Sequence, residues 1–284
     1  MGDLDLFNKL IRDSILSTTY QIDEVSDHRF YFENRYAEAI KEYYELTYRK
    51  SNEFELFGTS KGFNCYKICS VASSARLCFL LLGDDLNSRF EWHLLNATSK
   101  KENWEKPSKN DAQLDAFDFH TYYECKCQEI LEHKTPLPVS YSKCLEKNFG
   151  IKDLSVNGRN ILATMKEFHL GSSDKNYLHT YFDIKQLFTH LCAIIKDNKE
   201  LENRKLQYIF FTPKKELMKG TEFEKAYEEL QSEINDIVSS DVIKIAKEKF
   251  NIDFGYEFIS VDDDRLNKDP QSLLKYLKEN RTNG

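Results

Sequence analysis

Two carboxylates and one ammonium group limit the chemistry open to this chain. The stretch Gln113–Glu129, QLDAFDFHTYYECKCQE, carries Asp115, Glu124 and Lys126 in close succession. Hard carboxylate oxygens hold Mg²⁺ beside a phosphate. Such an ion stabilises charge on the phosphoryl oxygens and lowers the pKa of a bound water. A neighbouring lysine orients that water and helps neutralise the transition state. The three residue types therefore suit metal-assisted phosphodiester hydrolysis, provided the chain brings them to one place.

The same stretch contains the device for doing so. Residues recur with period two, as in a pair of antiparallel strands joined by a short turn. Glu124, Lys126 and Gln128 then share one face, and Tyr123, Cys125 and Cys127 share the other. The aromatic and cysteine face suits burial against a helix. A four-residue loop, Asp118–Thr121, pairs Phe117 with Tyr122 and sets Asp115 opposite Glu124, with Cβ atoms roughly 4.5–5.5 Å apart. A two-residue loop, His120–Thr121, sets Asp115 opposite Lys126. A three-residue loop without a bulge sends Asp115 to the wrong side. The four-residue loop is favoured, because Asp is a good first turn residue and His-Thr is a poor primed turn.

Glu-x-Lys and Asp-x-Lys spacings also occur at Glu132–Lys134, Asp183–Lys185 and Asp197–Lys199. An exposed Glu–Lys row is ordinary by itself. Only Glu124–Lys126 follows a strand that carries an aspartate.

The elements around the hairpin read as follows. Leu4–Ile15 and roughly Phe30–Tyr48 have helical spacing. Residues 61–83 suggest a buried helix ending at Gly83, with Cys65 and Cys69 on one face. Ser73, Ser74 and Arg76 interrupt it, read as residues allowing close packing rather than as a phosphate site; no local serine-nucleophile motif accompanies them. Arg89–Leu95 is a short aromatic strand that places Glu91 and His93 on one face, making Glu91 a candidate extra metal ligand. Residues 98–111 are a polar run with Lys100, Lys101, Lys106 and Lys109 around Trp104, which reads either as a solvated loop or as a basic flap over phosphates. With Gln128, these lysines are the candidate substrate-binding residues.

Beyond the hairpin, Ile130–Lys134, Ser142–Asn148 and Gly158–Glu167 have short helical patterns. Thr180–Asn198 is a stronger helix, with Thr180 and Asp183 resembling a capping box. Gln186 and His190 lie four apart on another face of it, aimed at the catalytic edge or at solvent. Leu206–Thr212 is a nearly all-apolar strand reached by a crossover. Residues 222–250 are helical, Phe254–Val261 is a further strand, and Gln271–Leu277 is a terminal helix. Asp262–Asp264 reads as a solvated acidic turn. With no internal repeat or long linker, residues 1–284 are expected to form a single α/β domain. Its parts are a helical addition (1–60), a core (61–213) with an insertion (131–178), and C-terminal helices plus one strand (214–284).

Composition narrows the class. Hydrophobic residues make up 40% and aromatic residues 13%, enough for a packed core. A net charge of −7 argues against a generic nucleic-acid-coating surface but permits a local basic rim on an acidic body. No apolar run approaches the ~18 residues of a membrane span. The N-terminal residues lack a signal-peptide layout, and Leu6 breaks the myristoylation pattern. Seven cysteines without a C-x₂-C pair point to reduced buried thiols in a cytoplasmic protein, not to a zinc site.

The order helix, strand, strand, strand, helix, strand resembles the common core of the PD-(D/E)XK nuclease superfamily. Asp115 and Glu124-Cys125-Lys126 match its D…E-x-K signature. Within it the chain is similar to a restriction-endonuclease-like group. The matching pieces are Ser73-Ser74 before Leu77-Cys78-Phe79, then Phe90-Glu91-Trp92, Asp115-Ala116-Phe117, and Glu124-x-Lys126-x-x-Glu129. The likeness covers residues 65–130 and extends over 183–213 by element order alone. Leu114 stands in place of the signature's proline, which is often absent in this superfamily. The resemblance implies Mg²⁺-dependent (alternatively Mn²⁺-dependent) cleavage of DNA of restriction or phage-defence type. Asp115 and Glu124 would be metal ligands, Lys126 the water-orienting residue, and Glu91 a further ligand. Cutting both strands would favour a symmetric homodimer. The competing expectation is a protein of the same fold that has lost cleavage and serves as an interaction module.

Overall fold

The computed structural model describes residues 3–15, 22–26, 29–32, 41, 56–58, 64–85, 89–94, 112–128, 146, 149–152, 154–156, 158–161, 180–197 and 202–281. In chain order the elements are α1 (Asp3–Ile15), β1 (Ile22–Ser26), β2 (Arg29–Phe32), β3 (Leu56–Gly58), β4 (Asn64–Tyr66), α2 (Ser74–Leu82), β5 (Arg89–Leu94), β6 (Ala112–Phe117) and β7 (Thr121–Lys126). There follow β8 (Ser155–Val156), β9 (Arg159–Asn160), α3 (Ile184–Lys196), β10 (Arg204–Thr212), α4 (Lys215–Met218), α5 (Glu222–Val238), α6 (Asp241–Phe250), β11 (Ile252–Ser260) and α7 (Pro270–Arg281).

One five-stranded mixed sheet organises the chain, in the order β11-β10-β7-β6-β5. β5, β6 and β7 form an antiparallel meander, and β10 then lies parallel to β7 with β11 parallel to β10. A parallel return needs a crossover, which α3 supplies between β7 and β10. β10 is buried along nearly its whole length, as a central strand covered on both faces must be.

The covering helices sit on opposite faces. Glu124 and Cys125 are successive residues of β7 and point to opposite sides. Cys125 meets Cys78 of α2 through a thiol–thiol hydrogen bond, while Glu124 meets Gln186 of α3. α3 buries Leu187, Phe188, Leu191 and Ile194 completely, each worth roughly 1.5–3 kcal/mol. α5 covers the same face as α3. Its Tyr227 donates to the Phe211 carbonyl and packs edge-on against Phe258.

A buried arginine ties this layer down. Arg204, at the start of β10, donates Nη1 to the Ile194 carbonyl at 2.5 Å and Nη2 to the Phe250 carbonyl at 2.6 Å. Both carbonyls lie in the last turns of helices, α3 and α6, where the backbone has no partner of its own. α6 closes on Asn251 in the left-handed conformation, φ 53°, a position Asn tolerates well. Arg204→Ala is expected to cost roughly 1–3 kcal/mol by stranding two buried carbonyls. A urea melt that leaves the midpoint unchanged would refute this.

Several sequence expectations are corrected. The start of the expected Phe30–Tyr48 helix is strand, because Arg29–Phe32 pairs with Ile22–Ser26; of the remainder only Lys41, which is helical, is among the described residues. Residues 1–60 are thus not wholly helical. Cys65 and Cys69 do not share a helix face, since Cys65 is in β4 and Cys69 in a 3-10 turn. Arg159–Asn160 pairs with Ser155–Val156, so Gly158, at φ 70°, turns a small hairpin rather than starting a helix. Residues 130–134 and most of 142–148 lie outside the described residues. Asp183, not Thr180, caps α3, accepting from the Gln186 amide at 2.9 Å. The added strand β11 joins the main sheet; nothing in its own residues indicates which strand it pairs with.

Candidate functional site

The site forms where the sheet splits. β6 and β7 pair at Phe117–Tyr122 and Ala116–Tyr123, the register of the four-residue loop, and the ladder then stops. β6 goes on pairing with β5 to Ala112, and β7 with β10 to Lys126. A fork therefore opens between β6 and β7. Asp115 fills it, Oδ2 accepting the Cys125 amide at 2.6 Å. That amide, sited between Glu124 and Lys126, would otherwise lack a cross-strand partner.

The turn behind the fork explains the register. Asp118 Oδ1 accepts from the Thr121 amide at 2.8 Å, and the Asp118 amide donates to the Thr121 carbonyl at 3.1 Å. An aspartate folding onto its own backbone closes such turns. Phe119 takes the left-handed conformation within it, at φ 68°, and packs edge-on against Phe117.

Glu124 is only 3% exposed, so it needs partners. Its Oε1 lies 2.5 Å from Lys126 Nζ and accepts from Gln186 Nε2 at 2.7 Å. Its Oε2 faces His190 Nε2 at 3.7 Å, longer than a hydrogen bond. His190 is buried, and its Nδ1 is 3.3 Å from the Tyr208 hydroxyl. Tyr208 stands beside Glu124 in the parallel register. Burial first, then the charges of Glu124, Asp183 and Asp115, raise its phenol well above the ordinary tyrosine value. Burial likewise raises the Cys78 and Cys125 thiols.

Asp115, Glu124 and Lys126 thus converge on the fork. Position 91 lies one strand further out, on β5. Phe90 pairs with Ala116 and Trp92 with Leu114, which brackets Glu91 across from Asp115; its side chain lies outside those described. Gln128 is half-buried just past β7. Lys100, Lys101, Lys106 and Lys109 lie outside the described residues, as does Glu129. Gln186 and His190, which one turn of helix puts on one face, point to the fork and not to solvent. Tyr208 was legible only as a buried strand residue, since no sequence signal tells which buried tyrosine will neighbour the carboxylate.

Other candidates play structural parts. Ser73 caps α2, accepting from the Arg76 amide at 3.1 Å, and Arg76 donates to the Val71 carbonyl at 2.7 Å. Asp263 binds Arg265, which holds its carboxyl below the usual range, and Asp262 pairs with Lys214 at 3.3 Å. Cys69, Cys78, Cys125, Cys127 and Cys192 are buried and in no disulfide. Among the described residues no cluster of three or more His, Cys, Asp or Glu is placed to hold a metal. Mg²⁺ does not require one. It characteristically takes one or two protein carboxylates and completes its shell with water and substrate phosphate. Asp115 and Glu124, two hard-oxygen donors beside a split in the sheet, fit that demand.

The tyrosines of β7 carry a pH signature. Tyr122 donates to Asp197 Oδ2 at 2.7 Å and Tyr123 to Asp118 Oδ2 at 2.6 Å. Burial and these carboxylates raise both phenols. A raised folded pKa means the folded state keeps protons that the unfolded chain gives up above about pH 10. Their stabilisation should be full below that pH and fall as pH rises past it. Native-state tyrosinate absorbance should show these phenols titrating late; titration of all tyrosines near the ordinary value would contradict the assignment.

Comparison of the chain with protein-family models, with curated proteins and with solved structures finds no match. The fold and the site define a mixed α/β protein with a carboxylate–lysine cluster at a fork in its sheet. No helix among the described residues is long and apolar enough to cross a membrane.

Proposed function

We propose that the protein is a Mg²⁺-dependent endonuclease that hydrolyses DNA phosphodiester bonds, with a core of the PD-(D/E)XK, restriction-endonuclease-like type. The observation that carries this reading is the convergence of Asp115, Glu124 and Lys126 on the β6–β7 fork. Support for the fold likeness comes from the antiparallel meander, the crossover helix and the parallel fourth strand.

Asp115 and Glu124 would hold the divalent ion, with Glu91 as a third donor from β5. When bound, the ion supplies positive charge to the phosphoryl oxygens and favours deprotonation of the attacking water. Lys126 keeps one ammonium group at the fork, where it orients water and offsets charge that develops on the phosphate. Gln186 holds Glu124 Oε1 from the helix side, so the carboxylate cannot swing away from the cleavage position. The lysines of residues 100–109 would contact the backbone phosphates.

A second reading, an interaction module of this fold without cleavage, draws support from one observation: Glu124 is buried, with Oε1 already engaged by Lys126 and Gln186. Incubation of supercoiled plasmid with the purified chain separates the two. The nuclease reading expects nicking with Mg²⁺ or Mn²⁺ and none with EDTA. Intact plasmid together with no calorimetric uptake of either ion would leave the interaction module standing.

A further inference from the structure

The two oxygens of Glu124 are held unequally. Oε1 takes a lysine ammonium at 2.5 Å and an amide donor at 2.7 Å. Oε2 has a buried imidazole at 3.7 Å, within ion-pair reach but beyond hydrogen bonding. That imidazole is costly where it is. His190 is 2% exposed on a helix whose neighbouring inward positions are Leu187 and Leu191. An apolar residue would fill the space without desolvating two ring nitrogens. The ring is anchored from behind by Tyr208 at 3.3 Å. Tyr208 is itself wedged between Phe182, Phe210 and Phe254, with ring centroids 5.2, 6.0 and 5.7 Å away. Gln186 and His190, one helical turn apart, thus address the two oxygens of one carboxylate. Tyr208, level with Glu124 in the parallel register, locks the second of them.

We infer that the Tyr208–His190 pair is a positioning device that reserves Oε2 of Glu124 for the divalent ion, a reading that rests on the nuclease assignment. The phenol donates to Nδ1, which leaves the proton on Nε2, directed at Oε2. An N–H at that distance steadies the carboxylate without claiming its oxygen as Lys126 claims Oε1. Carboxylates that bind metals are commonly held in this way by outer partners, whose loss typically costs 10–100-fold in metal affinity or activity.

The test uses the full chain. Calorimetric titration with MgCl₂ is expected to show affinity falling about 10–100-fold in Tyr208→Phe, which keeps the ring and removes only the hydroxyl. His190→Leu should fall by a similar factor, and His190→Gln, whose amide can still donate toward Oε2, should recover most of it. At saturating Mg²⁺ the cleavage rate of Tyr208→Phe should return to within a few-fold of the parent, an effect on metal affinity that a loosened core would not produce. Nitrogen NMR of the unsubstituted protein should show His190 protonated at Nε2 and bare at Nδ1, a readout that survives if a variant fails to fold. Unchanged Mg²⁺ affinity in folded Tyr208→Phe, or a proton found on Nδ1, overturns the inference while leaving the nuclease reading intact. A parent protein that neither binds Mg²⁺ nor nicks DNA overturns both.

Discussion

Lys126→Ala should lower Mg²⁺-dependent plasmid cleavage by on the order of 10²–10³-fold, the loss expected when one preorganised donor is removed from a transition state. Among the described residues, Lys126 is the one whose ammonium group lies against Glu124, and its side chain is 15% exposed, so it reaches both the buried carboxylate and solvent at the fork. Removing one partner of a buried pair generally strands the other at a cost. Here Gln186 still donates to the same oxygen, and the loss of stability should stay within about 1–3 kcal/mol. DNA binding should change little, because a single phosphate contact is a small part of a multi-contact electrostatic interaction. The measurements are nicking rate, a denaturation midpoint and a gel-shift affinity. Retained Mg²⁺-dependent nicking by the folded variant would sink the assignment of Lys126.

The second large effect belongs to the carboxylates. Glu124→Gln keeps the volume and an acceptor for Gln186, but removes the negative charge that both Lys126 and a divalent ion need. Asp115→Asn does the same in the fork, and its remaining carbonyl oxygen can still accept the Cys125 amide. Each should weaken Mg²⁺ binding by on the order of 100-fold or more, since even outer partners of a metal ligand contribute 10–100-fold. Cleavage should fall with it. The two variants differ in stability. Glu124→Gln removes the carboxylate charge that Lys126 faces at the fork, whereas Asp115→Asn preserves the hydrogen bond that bridges the fork. Calorimetry with Mg²⁺ on both variants checks this. Parent-like affinity in either would remove that residue from the ligand set.

Much of the site was readable from local chemistry. The period-two pattern and the aspartate at the turn point to the hairpin, and with an even loop length parity puts residues 115, 124 and 126 on one side. Asp118 performs the turn closure that its side chain chemistry allows. The crossover from α3 to β10 also follows from an amphipathic helix leading into the nearly all-apolar stretch Leu206–Thr212. The errors came where short segments carried mixed signals. Phe30–Phe32 has helical spacing with Tyr36 and Ile40, yet pairs as a strand with Ile22–Glu24. Residues 155–160 are too few for periodicity to tell a strand from a helical turn.

By itself the sequence determined which side chains lie on each face of the hairpin, because alternation along a strand is a property of the backbone alone. Through Asp118 as first turn residue it also favoured the loop length that brings a carboxylate pair and a lysine together there, and the structure has that register. What the tertiary structure decided was the environment of that face. α3 packs over it and turns a Glu–Lys row that would be ordinary in water into a buried carboxylate held by Gln186, with His190 and Tyr208 behind it. The structure also decided that the β6–β7 ladder ends beside Asp115. Neither follows from local pattern, since both depend on contacts between segments distant in the chain, Glu124 with Gln186 and His190 with Tyr208. Such contacts form only when the sheet and helices close around a common core.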